Sequence, residues 1–247
     1  MPRTFASVVF AITIGLAAPA VAADGQVVIT QTKALQGGIT PSDTAGFPVT
    51  LSRAGSYVLG SNLDPPQNAF GIEVTADAVS VDLNGFRIDG ATKAKRGIVA
   101  TGNQANVTIR NGTVSRFRLD GISGAGKSWA VEDMRVVSNG YRGVYLSGSY
   151  ARVLSSNVSQ NGLYGIQCGG TCTVDSSTVA GNGKFGIWLA SGIVLGSVIV
   201  NNADEGVFSS GTTGFGNNEV SFNNGNSNQI SSGIYSLQPN HCSPVAC

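Results

Sequence analysis

GVYLSGSYARVLSSNVSQNGLY (143–164), GIQCGGTCTVDSSTVAGNGKF (165–185) and GIWLASGIVLGSVIVNNADE (186–205) follow one another without a break. Each opens on a Gly-[Ile/Val] pair, carries two apolar residues five apart, and places an asparagine three residues after the second of them. Self-similarity at a period near 22 residues is the mark of a repeat architecture, and it takes precedence over any assignment of separate elements.

The repeat extends well beyond these segments. The glycine pair recurs at Gly71-Ile72, Gly97-Ile98, Gly121-Ile122, Gly143-Val144, Gly165-Ile166, Gly186-Ile187, Gly206-Val207 and Gly233-Ile234, in steps of 26, 24, 22, 22, 21, 20 and 27 residues. The apolar pairs run in phase at Leu83/Ile88, Ile109/Val114, Val131/Val136, Val153/Val158, Val174/Val179, Val194/Ile199 and Phe215/Val220. The asparagines are Asn139, Asn161, Asn182, Asn202 and Asn223. Units this short, β-branched and punctuated by glycine cannot be helix pairs, because no stretch sustains a 3.6-residue period. Alternation around Gly143-Val144-Tyr145-Leu146 points every second residue inward. Short strands repeating at constant length stack as parallel coils, each strand pairing with its equivalent one turn later. The expected fold is therefore all-β: a single-stranded right-handed parallel β-helix, a solenoid of about eight coils. Asparagine suits a repeated buried turn, since it tolerates left-handed backbone and its amide can bond to the next amide in the stack.

The flanks read differently. Residues 1–23 have a basic start at Arg3, an apolar run from Phe5 to Ala18, and then Pro19-Ala20-Val21-Ala22-Ala23, the pattern of a cleavable signal peptide. Residues 24–68 lack the repeat, carry Pro41, Pro48, Pro65 and Pro66, and are read as an N-terminal cap over the open end of the solenoid. Residues 69–237 form the β-helix and 238–247 a C-terminal tail. The mature chain has no apolar segment long enough to span a bilayer, so a secreted or periplasmic location is expected. Export agrees with four cysteines, for which Cys168 with Cys172 and Cys242 with Cys247 is the simplest of three pairings. One histidine, His241, is too few ligands for a metal site with these cysteines. A formal charge of +1 argues against nucleic acid as a partner.

The Gly-Ile, Val/Ile-pair, Asn-Gly sequence, as in Val174 to Gly186, resembles the parallel β-helix repeats of the pectin-lyase-like superfamily. The stretch from Val74 to Phe86, behind Gly46-Phe47-Pro48-Val49-Thr50, is similar to exported bacterial right-handed β-helix proteins to which no activity is assigned. The superfold hosts lyases, glycosidases, epimerases, phage spikes and adhesins, so the resemblance speaks to fold and leaves chemistry to the site.

Two outward columns are candidates for that site. Two residues after the glycines stand Glu73, Val99, Ser123, Tyr145, Gln167, Trp188, Phe208 and Tyr235; one residue before them stand Phe70, Arg96, Asp120, Arg142, Tyr164, Phe185, Glu205 and Ser232. Tyr145, Tyr164, Trp188, Phe208 and Tyr235 could hold sugar rings against aromatic faces. Ten of fifteen basic residues fall between Arg87 and Arg142 against four acids. Such a patch attracts an acidic polysaccharide or else forms a salt-bridged ladder. Lyases of the resembled superfamily use an arginine or lysine base and calcium held by acids. The resemblance then implies Arg142 or Arg118 as base near Asp120, Arg96 on the substrate carboxylate, and calcium as cofactor. No dense acidic cluster for calcium is present, and no other cofactor is implied. Two readings follow: a non-catalytic exported solenoid that binds extracellular or envelope polysaccharide or serves a structural role, and a lyase acting on an acidic polysaccharide by β-elimination. The missing catalytic set favours the first.

Overall fold

A computed structural model of the chain describes residues 25–231 and 233–244; the signal-peptide reading and Cys247 lie outside them. The chain winds through about nine turns of a parallel β-helix. Three sheets run its length, and every strand pairing is parallel. The first sheet contains Val49–Leu51, Phe70–Val74, Arg96–Ala100, Ile122–Gly124, Val144–Leu146 and Val207–Ser209, with the leading halves of Ile166–Asp175 and Ile187–Leu195. The second begins at Val27–Ile29 and Gly55–Leu59 and ends at Thr213–Gly216 and Ile234–Ser236. The third runs from Arg87–Asp89 through Asn157–Ser159, Thr178–Ala180 and Val198–Val200 to Glu219–Ser221 and His241–Ser243.

Register places like residues over like. Val144, Ile166, Ile187 and Val207 superpose in the first sheet, Val153, Val174 and Val194 in the second, and Val136, Val158, Val179 and Ile199 in the third. All are fully buried. Each such side chain contributes about 1.5–3 kcal/mol by leaving water. The core is built mainly of aliphatic stacks, with Cys168 between Leu146 and Leu189, Phe215 over Val194, and Trp129 and Phe117 also fully buried. The disulfide Cys168–Cys172 joins two of these inward positions across the corner between the first and second sheets.

The turn leaving the third sheet carries the asparagines. The Nδ2 of Asn139 donates to Oδ1 of Asn161 at 3.0 Å, Asn161 to Asn182 at 3.0 Å, Asn182 to Asn202 at 2.9 Å and Asn202 to Asn223 at 2.9 Å. Each Oδ1 also accepts the backbone N–H of the preceding asparagine. Gln229 ends the series, its Oε1 accepting from Nδ2 of Asn223 at 3.1 Å. The first-sheet glycines from Gly121 to Gly206 are explained by the same contact. A Cβ on Gly165 would lie 2.7 Å from Nδ2 of Asn182, 2.6 Å from Cγ1 of Val179 and 2.6 Å from the Gly186 carbonyl. The need is for space, since Gly165 has no positive φ.

Four expectations need correcting. The segment 24–68 is more than a cap: Val27–Ile29, Val49–Leu51 and Gly55–Leu59 pair in register with later coils, and the short helix Gln31–Gln36, capped by Thr30, buries Ala34 in the core. The segment 238–244 is likewise part of the last turn, through His241–Ser243. In the early coils the inward partner of Ile109 is Val81 and not Leu83, because the turn before Ile88 is two residues longer. Gly233-Ile234 is not the eighth member of its column. Ile230 takes the place opposite Val207, while Ile234 pairs with Thr213 in the second sheet.

A second ladder went unread in the sequence. Ser156, Ser177, Ser197, Asn218 and Asn240 occupy the turn between the second and third sheets, and each side-chain oxygen accepts the backbone N–H of the residue one coil before. Each stands two residues before the inward residue of the third sheet, a spacing visible in Ser156-Asn157-Val158 and Ser177-Thr178-Val179.

Asn182→Ala strips a buried amide from the middle of the ladder and leaves donors of Asn161 unpaired, at about 1–3 kcal/mol per orphaned group. Urea unfolding should report a loss of about 3 kcal/mol for Asn182→Ala and a comparable loss for Gly165→Ala, whose extra methyl has nowhere to go. An Asn182→Ala protein as stable as wild type would remove the ladder from the forces holding the fold.

Candidate functional site

The residue before each first-sheet glycine and the residue two after it are three apart, which strict alternation would put on opposite faces. The strand Val144–Leu146 begins only after its glycine, however, and the two columns lie together, with the Arg142 guanidinium 3.7 Å over the Tyr145 ring and Phe185 stacked on Phe208 at 4.8 Å. The two columns read separately in the sequence therefore form one surface. At its low-numbered end Asp120 is 1% exposed and lies between two arginines. Nε of Arg142 donates to Oδ1 at 2.8 Å and Nε of Arg96 to Oδ2 at 3.1 Å, with a further bond from Nη2 of Arg142 at 3.3 Å. Nη1 of Arg142 donates to Oε1 of Gln167 at 3.0 Å, and its guanidinium lies 3.7 Å over the Tyr145 ring and 4.8 Å from that of Tyr141. These contacts hold Arg142 rigidly as the counter-ion of a buried carboxylate, which no uncharged partner could satisfy.

Beyond Arg142 the surface turns aromatic. Tyr164 and Phe185 are stacked with centroids 5.5 Å apart, Phe185 and Phe208 at 4.8 Å, and Trp188 and Phe208 at 6.4 Å, all within 15° of parallel. The rings overlap like shingles: part of each face is covered by its neighbour, and each ring is half-buried. Trp188 is half-buried like the other rings of the strip. Phe185 is central to this strip and absent from the ligand-facing aromatics expected above; its place one residue before Gly186, equivalent to that of Tyr164 before Gly165, is the signal for it. Asp204 and Glu205 close the strip. Burial chiefly, then the hydrogen bond and charge of Asp204, hold the Glu205 carboxyl above its usual range, against an opposing pull from Lys184.

Two of the expected residues lie elsewhere. Tyr235 pairs with Gly214 in the second sheet, because the turn after Asn223 brings Ile230 into the first-sheet position. Arg118 is exposed and donates to Oδ1 of Asn68 at 2.6 Å, away from Asp120, since it precedes the strand and stands on the turn. Half of the basic patch is a paired ladder: five of its ten cations are in ion pairs. Arg87 and Arg116 bind Asp89, Arg110 binds Asp82, and Arg96 and Arg142 bind Asp120. Burial would raise the pKa of Asp89, but the bonds from Arg116 and the Ala91 amide, with the charges of Arg116 and Arg87, outweigh it and hold the carboxyl below its ordinary value. Among the described residues, no three His, Cys, Asp or Glu side chains gather closely enough to ligate a metal ion, so these residues do not fit the calcium that a lyase of the resembled type uses.

A cleft of about 270 Å³ opens beside Asp120, between Arg96 and Tyr145 and over Ser123 and Ala125. Arg96 uses only Nε on Asp120. Its two Nη groups, Ser123 Oγ, Tyr145 Oη and Ser147 Oγ have no hydrogen-bond partner among the described residues.

A coiled all-β rod with one cationic and aromatic face defines a right-handed β-helix protein. The chain belongs to that family: the right handed beta helix region matches residues 68–243. Among solved structures, the Dettilon tailspike protein (gp208) is similar with a TM-score of 0.55 and 16% identity, over 72% of this chain and 42% of that one. The A-module of the Azotobacter vinelandii mannuronan C-5 epimerase AlgE6 gives 0.46 and 15%, over 88% and 83%. Identities this low speak to the fold alone, and the chain spans less than half of the tailspike. No curated protein matches the sequence. No helix among the described residues is long and apolar enough to cross a membrane.

Asp120→Ala leaves two guanidinium groups without their counter-charge and should cost about 3–5 kcal/mol in denaturant unfolding. Replacing the whole triad, with Asp120→Leu, Arg96→Met and Arg142→Met combined in one chain, should recover most of that loss, which distinguishes a structural ion cluster from simple cavity formation. At Asp89 the sign of the pH effect follows from its lowered pKa. Its stabilisation is complete above the unfolded-state value and is lost as pH falls through the lower folded-state value. Acid unfolding followed by circular dichroism should therefore begin at higher pH in Arg116→Met than in wild type.

Proposed function

We propose that this is an exported, non-catalytic polysaccharide-binding solenoid that holds a glycan against the outer face of its first sheet. The observation that carries the reading is the continuous strip from Arg142 and Tyr145 to Tyr164, Phe185, Phe208 and Trp188, half-exposed on successive coils. Amphipathic sugar rings have apolar faces for aromatic groups and hydroxyls for the neighbouring polar atoms. Coils repeat every ~4.8 Å, so the strip is an elongated platform suited to a chain ligand. Export is supported by the buried disulfide Cys168–Cys172, which belongs to an oxidising compartment, and by the leader-like residues 1–23.

Catalysis is less well supported. A guanidinium acting as base must surrender a proton, yet Arg142 has only donors to offer and has committed three of its nitrogens to Asp120 and Gln167. Deprotonation would leave the buried Asp120 carboxylate with Arg96 as its one cationic partner.

Retention on a panel of immobilised neutral and acidic polysaccharides tests the reading, with Trp188 as a reporter, since the other tryptophan, Trp129, is buried. Binding should change the emission of Trp188. Phe185→Ala should weaken retention about tenfold, or ~1.4 kcal/mol. Higher salt should weaken only the acidic glycans. Unsaturated uronide products that disappear in Arg142→Lys would replace this reading with that of a lyase. An absence of retention on every glycan would leave it without support.

A further inference from the structure

Resting on that reading, we infer that the cleft beside Asp120 is a chain-end seat, in which the last, acid-bearing sugar of a glycan lies across the rod and not along it. The first argument is the relief of the face. In register, Val99, Ser123 and Tyr145 occupy one outward column, and Ser123 is the small member between two larger ones. The coil floor continues through Gly124 and Ala125 to Gly126, where a Cβ would lie 1.8 Å from the Gln104 carbonyl, so close packing keeps this corner bare. A second cavity of about 330 Å³ begins at Ala125 and passes over the corner to Lys127 and Ser149. The two cavities share Ala125 in their linings and follow one another along the coil from Ser123 to Lys127, which is transverse to the solenoid axis.

The second argument is the ridge between this notch and the aromatic strip. Arg142, pinned on Asp120 and Gln167 and stacked on Tyr145, is a fixed partition. A chain following the strip towards lower-numbered coils meets this ridge and then a drop onto Ser123. At about 270 Å³ the notch is smaller than the roughly 300–1,000 Å³ of sites for drug-sized ligands, and it suits a single sugar residue.

The third argument is charge. Two guanidinium groups face one carboxylate, so the notch keeps one uncompensated positive charge. The next carboxylate, Glu73, stands one coil away beside Val99, where it accepts from Thr101 Oγ1, and forms no ion pair with Arg96. The positive charge is therefore presented by the free Nη fork of Arg96, 31% exposed, beside the unpartnered Ser123, Tyr145 and Ser147 hydroxyls. A planar fork with two free donor groups matches a carboxylate.

The test compares two oligosaccharides of equal length and composition, one with a uronate at its end and one with the uronate internal, by calorimetry. Ala125 is exposed, so Ala125→Trp fills the notch without touching the core, and an unchanged melting temperature checks this. Ala125→Trp and Arg96→Gln should each weaken the acid-ended ligand at least tenfold and the internal-acid ligand less than twofold. Equal effects on the two ligands, or none on either, would overturn the chain-end seat while leaving the glycan-binding reading intact. Glucuronate alone, followed through the amide signals of Ser123 and Ala125, tests the notch apart from the strip. Shifts that vanish in Arg96→Gln support the seat even where no polysaccharide is retained, and unmoved signals count against it.

Discussion

The stacked amide of each ladder asparagine lies in the space that a first-sheet glycine leaves vacant, and the rest of the molecule depends on that contact. Asn161 fits under Gly143, Asn182 under Gly165 and Asn202 under Gly186, each with Nδ2 2.7 Å from where a Cβ would stand. The amide bonds to its neighbours one coil before and one coil after, so a polar turn is buried with every donor and acceptor used. From Gly121 to Gly206 the register of one coil on the next is thereby tied to a side chain and a missing side chain, and the aliphatic stacks fall into line beside them.

Register turns sequence columns into surface stripes, and the same rule builds both the charged and the aromatic parts of the outer face. Asp120 can be buried because Arg96 and Arg142 stand one coil to either side. Asp89 is served by Arg87 from its own strand and by Arg116 from the next coil. Such attractive neighbours make half of the basic stretch a ladder. What that ladder leaves for a ligand is local: the fork of Arg96 and the relief around Ser123.

The fold was legible because its signals are one-dimensional. The Gly-[Ile/Val] steps, the apolar pairs and the asparagines each recur at the length of a coil, and a parallel solenoid is what such recurrence builds. Legibility faded where coil length changed. The long turn before Ile88 displaced Leu83 from the inward column, and the loop after Asn223 let Gln229 and Ile230 take the places that Gly233-Ile234 had suggested. Ser156, Ser177 and Ser197 passed unnoticed because serine is common on any surface, and only its spacing from the third-sheet valines marks it as a ladder.

By itself, then, the sequence determined the solenoid, most of the inward columns and the candidates that flank each glycine coil by coil, since these follow from periodicity. Tertiary structure alone decided which of those side chains are spent on one another. Arg142 is committed to Asp120, Gln167 and Tyr145, the rings from Tyr164 to Phe208 cover part of each other's faces, and Tyr235 belongs to another sheet. The reason is that period fixes the level and direction of a side chain, whereas its free hydrogen-bonding and stacking capacity depends on neighbours some twenty residues away, whose rotamers no local pattern encodes.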